Sequence, residues 1–279
     1  MWKVTLKGLL AHRVRLILTT LSVVLGVAFV SGTYVLTDTM GRVFDDLVRG
    51  GAGMIDVLVR AQPPGESSAI ESFGESLPLP DRMVDDIREV DGVADARGAV
   101  ESFAMIVRPD GEPILPMGPP TLGASWAPDE GRTIRDGRAP AASDEVVIDA
   151  TTADRHGLAP GDRVDVVFST TPPREFTIVG ITSSEGGENL AGATLAQFDL
   201  LTAQKVLGFE HNFTSIYVWG TDGTDLDALA QRIDDALPAN VQAITAAAWA
   251  DEMMGQIDQA LGFITVLFGV FAAIALVVG

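Results

Sequence analysis

Two long apolar runs dominate the hydrophobic pattern, one near each end of the chain. Leu16–Leu36 reads LILTTLSVVLGVAFVSGTYVL: 21 residues, no charge, twelve of them Leu, Ile, Val or Phe. At 1.5 Å per residue such a helix spans about 30 Å, the thickness of the hydrocarbon layer. Leu261–Gly279 reads LGFITVLFGVFAAIALVVG, again uncharged and again with twelve such residues. Neither run has the polar stripe of a helix packed on a soluble core. A cleaved signal peptide would have a shorter apolar centre and a small-x-small site after it, where this chain has Thr33-Tyr34-Val35-Leu36. Both runs are read as transmembrane helices.

Between them the period changes repeatedly. Met40, Val43, Phe44, Leu47 and Val48 keep helical spacing beyond the first span, a stalk that ends at Gly50-Gly51-Ala52-Gly53. Ile55, Val57 and Val59 alternate as a strand does. A proline-rich loop covers 61–80, a helix 81–90 and one long strand 93–107. Residues 116–144 are rich in Pro and Gly and read as irregular. The clearest stretch follows. A strand is expected over 145–149, a short helix over 151–156 stopped by Gly157, a turn at Pro160-Gly161-Asp162, and paired strands over 163–168 and 175–182. Then come a helix over 195–207, a strand over 213–219, a helix over 225–237 with Thr224 as its N-cap, and a strand over 241–245. From Ala246 helical spacing runs unbroken into the second apolar run, a second stalk. The expected architecture is an α+β domain of mixed small sheets and helices in two subdomains, flanked by two transmembrane helices with stalk extensions. Its segments are 1–15 (interfacial amphipathic helix), 16–36 (first span), 37–255 (core domain with stalks) and 256–279 (second span).

Charge gives these segments an orientation. Residues 1–37 hold four bases and no acid, whereas 38–279 hold all 38 acids and 15 bases, a net charge of −23. Positive flanks stay in the cytoplasm, so the N-terminus is expected inside, and the acidic domain outside, a plasma (inner) membrane. The acidic domain contains a single lysine, Lys205, and so lacks the clustered bases that bind nucleic acid. Small residues four apart could let helices approach closely within the membrane: Ser22 with Gly26, Ala28 with Gly32, and Gly269 with Ala273. The bland alternative is that glycine is simply common in membrane helices.

Candidate chemistry is sparse. No lysine sits in a phosphate-binding loop, and the chain has no cysteine. His12, His156 and His211 fall in separate elements without ligand spacing. Asp222-Gly223-Thr224-Asp225-Leu226-Asp227 lacks the distal glutamate of a calcium loop and suits an acidic helix start better. No catalytic, metal or cofactor site is expected, and the chain is not expected to be an enzyme.

Three stretches carry a family resemblance. They are Leu6-Lys7-Gly8-Leu9-Leu10-Ala11-His12-Arg13 leading into Thr20-Leu21-Ser22-Val23; Glu130-Gly131-Arg132 with Asp136-Gly137-Arg138-Ala139-Pro140, Asp144-Glu145-Val146-Val147-Ile148-Asp149 and Gly161-Asp162-Arg163-Val164; and Phe176-Thr177-Ile178-Val179-Gly180-Ile181. In these the chain resembles the N-terminal unit of MacB/FtsX-type ABC transporter permeases. The resemblance implies a MacB-like core domain outside the membrane, a cytoplasmic ATP-binding partner subunit, a homodimer or paired permease unit, contact with membrane lipid, and an extracytoplasmic protein or peptide substrate. It implies mechanotransmission, in which ATP hydrolysis by the partner moves the outer domain for export, lipoprotein handling or envelope regulation. The second apolar run lacks polar flanking residues, so further spans are expected beyond Gly279. The competing reading is a membrane-anchored sensor or binding domain without transport; a tethered hydrolase is disfavoured for want of a nucleophile or metal set.

Overall fold

The computed structural model describes residues 17, 20, 24, 27–35, 37–39, 41–42, 53–62, 77–116, 121–128, 132–184 and 193–278, with the side chains at 260, 264 and 271–278 excepted. Two units arise: Asp46–Met253, and Met1–Asp45 with Met254–Gly279.

The elements of the larger unit follow one another in short order. Strand β1 (Val57–Ala61) and the two-residue β2 (Leu79–Pro80) lead to helix α1 (Met83–Arg88), which buries Met83, Val84 and Ile87. Next come β3 (Val93–Ala99), β4 (Glu101–Val107), β5 (Leu122–Ser125), β6 (Arg132–Gly137) and β7 (Glu145–Asp149). Helix α2 (Ala150–His156) is capped by the Asp149 carboxylate, which accepts from Thr152 N, and stops at Gly157 with φ of 65°, a conformation glycine adopts without strain. Then follow β8 (Arg163–Phe168), β9 (Arg174–Ser184), β10 (Leu195–Phe198), α3 (Leu200–Val206), β11 (Asn212–Phe213) and β12 (Ser215–Gly220). Helix α4 (Leu226–Ala236), strand β13 (Val241–Thr245) and the long helix α5 (Ala246–Val278) complete the chain.

Two sheets organise these strands. The first is antiparallel, in the order β13-β1-β12-β3. With α1 between β1 and β3, and α4 between β12 and β13, it is a split βαβ, or ferredoxin-like, arrangement. Its outer strand β13 is blunted as an edge: the Ala243 amide donates to Asp234 Oδ1 of α4 at 2.9 Å. The second sheet closes on itself. Its order is β6-β9-β7-β10-β5-β4-β8, and β8 pairs back onto β9. The eleven residues of β9 permit this, because β8 and β6 share one edge of it and β7 takes the other. The closed ring buries Phe168, Phe176 and Phe198 together, with centroids 4.8 to 6.2 Å apart. Tilted and edge-on rings at that spacing suit the aromatic quadrupole. One hydrophobic core runs through both sheets. The two expected subdomains are thus two sheets sharing one interior.

The whole ring is inserted between β3 and β12, so the chain passes from sheet to sheet twice, and the passages touch. Thr214 N donates to Ala99 O at 2.9 Å, and Thr214 Oγ1 accepts from Glu101 N at 2.9 Å. Val100, between them, exchanges bonds with Ser125: its amide donates to Ser125 Oγ at 3.1 Å and its carbonyl accepts from Ser125 N at 2.8 Å.

Four sequence expectations are corrected. The strand expected over 93–107 is two strands in different sheets, broken at buried Val100. The irregular stretch 116–144 contains β5 and β6. The helix expected over 195–207 begins as strand β10, all four residues of which are buried; a short apolar run does not reveal its period, and Asp199 starts the helix by accepting from Thr202 N. The N-cap of α4 is Asp225, whose carboxylate accepts from Asp227 N and Ala228 N, rather than Thr224.

In the smaller unit the described residues of 27–39 are helical. Phe29 meets Phe268 of α5 edge-on at 5.3 Å. Threonines in both helices turn their hydroxyls back to carbonyls one turn earlier, Thr33 to Phe29 and Thr265 to Leu261, which satisfies the hydroxyls within each helix. Large apolar side chains such as Val24, Val35, Phe263 and Val266 are more than half exposed. Among the described residues one helix is long and apolar enough to cross a membrane, over Ala246–Val270 of α5, with mean hydropathy 1.3. The first expected stalk, over 40–48, lies mostly outside the described residues.

Candidate functional site

Where the chain leaves β5 beside Val100, the larger unit has a groove of about 370 Å³. Its position follows from the strand passages. Ser125 pairs with Val100, but the next amide, Trp126 N, donates to Phe198 O at 2.7 Å and draws the chain towards β10. The segment Ser125–Pro128 therefore forms one wall and α1 the other, with β3 between them. Buried Phe213 and Val84 and half-buried Leu200 and Trp126 give an apolar lining.

The charges at the rim are largely paired. Arg88 meets Asp85 at 3.1 Å and Asp95 at 3.7 Å, and it donates to Ala96 O at 2.7 Å. Arg97 meets Asp95 at 2.9 Å and stacks over Trp219 at 5.1 Å. Asp81, more than half exposed, has His211 at 3.6 Å. Among the described residues the groove is lined by two arginines and two aspartates, with Asp95 engaging both arginines from beside it, on a strongly acidic protein.

The electrostatic features elsewhere are structural in character. The Arg138 fork and the amides of Ala141 and Ala142 hold the Glu145 carboxyl at about 2, well below its ordinary 4.5. Burial, and then Arg108 and Arg155, push the His156 imidazole below its usual range. Asp149 accepts from Thr152 N at 2.8 Å and Leu195 N at 3.0 Å, tying α2 to the start of β10.

Of the residues singled out in the sequence for helix packing, Ser22 and Gly26 lie outside the described residues. Ala28 and Gly32 lie on the first helix, and a Cβ placed on Gly32 meets nothing within 4 Å. Gly269 lies on α5 and is equally open. Ala273 lies on α5, and its side chain is outside the description. The groove was not legible beforehand: Trp126 stood in a stretch read as irregular, and Gly98 in the middle of an expected continuous strand.

The family model of the MacB-like periplasmic core domain matches residues 16–236. The chain belongs to that family, in agreement with the resemblance to MacB/FtsX-type permeases, and its large unit is therefore an extracytoplasmic domain of a membrane protein. Two solved structures are similar. One is the periplasmic region of MacB from Actinobacillus actinomycetemcomitans, 12% identical, covering 73% of this chain and 94% of that one, with TM-score 0.49. The other is the extracellular domain of the noncanonic ABC-type transporter YknZ from Gram-positive bacteria, 12% identical, covering 67% of this chain and 98% of that one, with TM-score 0.45. No curated protein matches the chain.

Proposed function

We propose that this chain is part of a permease subunit of a MacB/FtsX-type ABC transporter. In this reading a cytoplasmic partner subunit hydrolyses ATP, and the resulting movement reaches the extracytoplasmic domain through the membrane helices. The N-terminus is cytoplasmic, the subunit works as a dimer or paired unit, and the chain performs no covalent chemistry itself. Family membership over residues 16–236 carries the proposal. The direct junction of β13 with α5 supports it: Thr245 ends a strand of the outer sheet and Ala246 begins the helix, with no linker to absorb movement. The small cluster of Ala246, Ala250, Ile55 and Trp249 fastens the first turns of that helix to the outer domain, and Arg60 of β1 adds an ion pair to Glu252.

The test is association. The full-length protein, solubilised from its native membranes, should co-purify with an ABC ATP-binding subunit and respond to ATP with a changed hydrogen-exchange pattern in β13 and the start of α5. A protein that never associates with an ATP-binding subunit overturns the transporter reading and leaves a membrane-anchored binding domain.

A further inference from the structure

Among the described residues, the groove beside β3 contains an unfilled place in a β-ladder. Ala99 O accepts from Thr214 N of the neighbouring passage, so odd-numbered positions of β3 turn their backbone groups towards β12 and even-numbered positions turn theirs outward. The outward groups are used in turn. Those of Val100 are taken by Ser125 N and Oγ. Those of Ala96 are taken by side chains, its carbonyl by Arg88 and its amide by Asp95 Oδ1 at 2.9 Å. Between them stands Gly98, which lines the groove; by the same alternation its N–H and C=O turn outward, and among the described residues neither has a hydrogen-bond partner. Beside that open pair lie the Phe213 ring, Leu200 and Trp126.

We propose that this groove docks an extended, basic polypeptide segment of an extracytoplasmic partner. The segment pairs with Gly98 through one N–H and one C=O, lays an apolar side chain against Phe213 and Trp126, and directs a basic side chain to Asp81. This is strand addition shortened to a single ladder position, with the backbone giving affinity and the lining giving selectivity. The sign of the partner's charge follows from the surface. The rim arginines are engaged by Asp85 and Asp95, and the domain as a whole is strongly negative, so an acidic segment is repelled and a basic one drawn in. The proposal is independent of ATP coupling and is tested without the ATP-binding subunit.

The probe is a fluorescent, end-blocked heptapeptide of alternating Lys and Val, titrated by anisotropy onto the full chain in nanodiscs of neutral lipid. Three comparators accompany it: alternating Glu and Val, the Lys–Val peptide with every backbone nitrogen methylated, and a Lys–Gly peptide of equal charge. Each lost hydrogen bond costs about three- to tenfold in affinity. The methylated and Lys–Gly peptides are therefore expected to bind about tenfold more weakly, and the Glu–Val peptide not at all. Asp81→Asn and Trp126→Ala should each weaken the Lys–Val peptide, and hydrogen exchange should slow at the Gly98 amide when it binds. Equal binding of the methylated peptide would reduce the effect to bulk charge attraction and overturn the proposal. Failure of the Lys–Val peptide to bind, or binding without protection of Gly98, would overturn it as well.

Discussion

The Phe213 ring covers Gly98 so closely that a Cβ built on the glycine would lie 2.3 Å from the ring carbons. The two residues come from opposite passages between the sheets, and Phe213 is itself buried and paired through β11 with Leu79. Gly98→Ala must therefore displace an aromatic ring from a close-packed site, at a cost of about 1–3 kcal/mol. Urea unfolding of the wild type, Gly98→Ala, Phe213→Leu and the double variant should show coupling, the second change costing less in the presence of the first. Strict additivity would mean that the ring does not occupy this place.

The aromatic triad in the closed ring should dominate its stability. Phe176 is 1% exposed and meets both of the other rings. Phe176→Ala removes a ring that its neighbours cannot replace and is expected to cost about 3–5 kcal/mol. Phe176→Leu should cost clearly less. Denaturant midpoints check the ranking.

Acid should weaken the fold through Glu145. Its carboxyl is held at about 2 against an ordinary 4.5. A depressed carboxyl stabilises the fold fully above its unfolded value, and that contribution is lost as pH falls from about 4.5 towards 2. The partner Arg138 is largely exposed, so solvent screening limits the effect to about 1–2 kcal/mol. In Glu145→Gln the pH dependence of stability over this range should flatten, whereas stability near pH 7 should fall by a similar amount.

His156 acts in the same direction at higher pH. Burial first, and two arginines second, keep its imidazole below the ordinary 6.5. The folded state resists the proton that the unfolded chain accepts, so stability is full above 6.5 and declines as pH falls below it. His156→Gln should remove this part of the decline, as thermal unfolding between pH 7 and 5 would show.

Asp149 joins two elements by a single carboxylate. Asp149→Ala leaves the Thr152 and Leu195 amides without their charged acceptor, and charge-assisted bonds of this kind contribute about 1.5–3 kcal/mol each. Faster amide exchange is expected at both residues. Acceleration at Thr152 alone would show that only the helix cap depends on it.

Much of the second half of the domain was legible in advance, because its signals are local. Gly157, Pro160-Gly161 and the alternation of β8 mark their own boundaries, and the antiparallel β8–β9 pair follows from proximity in the chain. The misread places are those governed by distant partners. Leu195–Phe198 reads equally well as helix until β5 and β7 are found on either side of it. Val100 carries no break signal of its own; Ser125, twenty-five residues away, makes it a corner. The groove arises from the same long-range geometry, so neither Gly98 nor Trp126 announced itself. The basic N-terminal charge and the two apolar runs were plain in the sequence, as was the family.

The nesting of the closed ring within the split βαβ has a consequence for the order of folding. Thr214 and Ala99 are 115 residues apart in sequence yet hydrogen-bonded. Bringing such distant strands together from an open chain is slow, because closure entropy must be met before any contact compensates it. If the ring assembles first, its two ends emerge side by side at Glu101 and Phe213, and β3 and β12 meet as though joined by a tight turn. The inserted ring then serves as the hairpin loop of the outer sheet. Substitutions within it, such as Phe176→Ala, should slow formation of a sheet to which they contribute no strand.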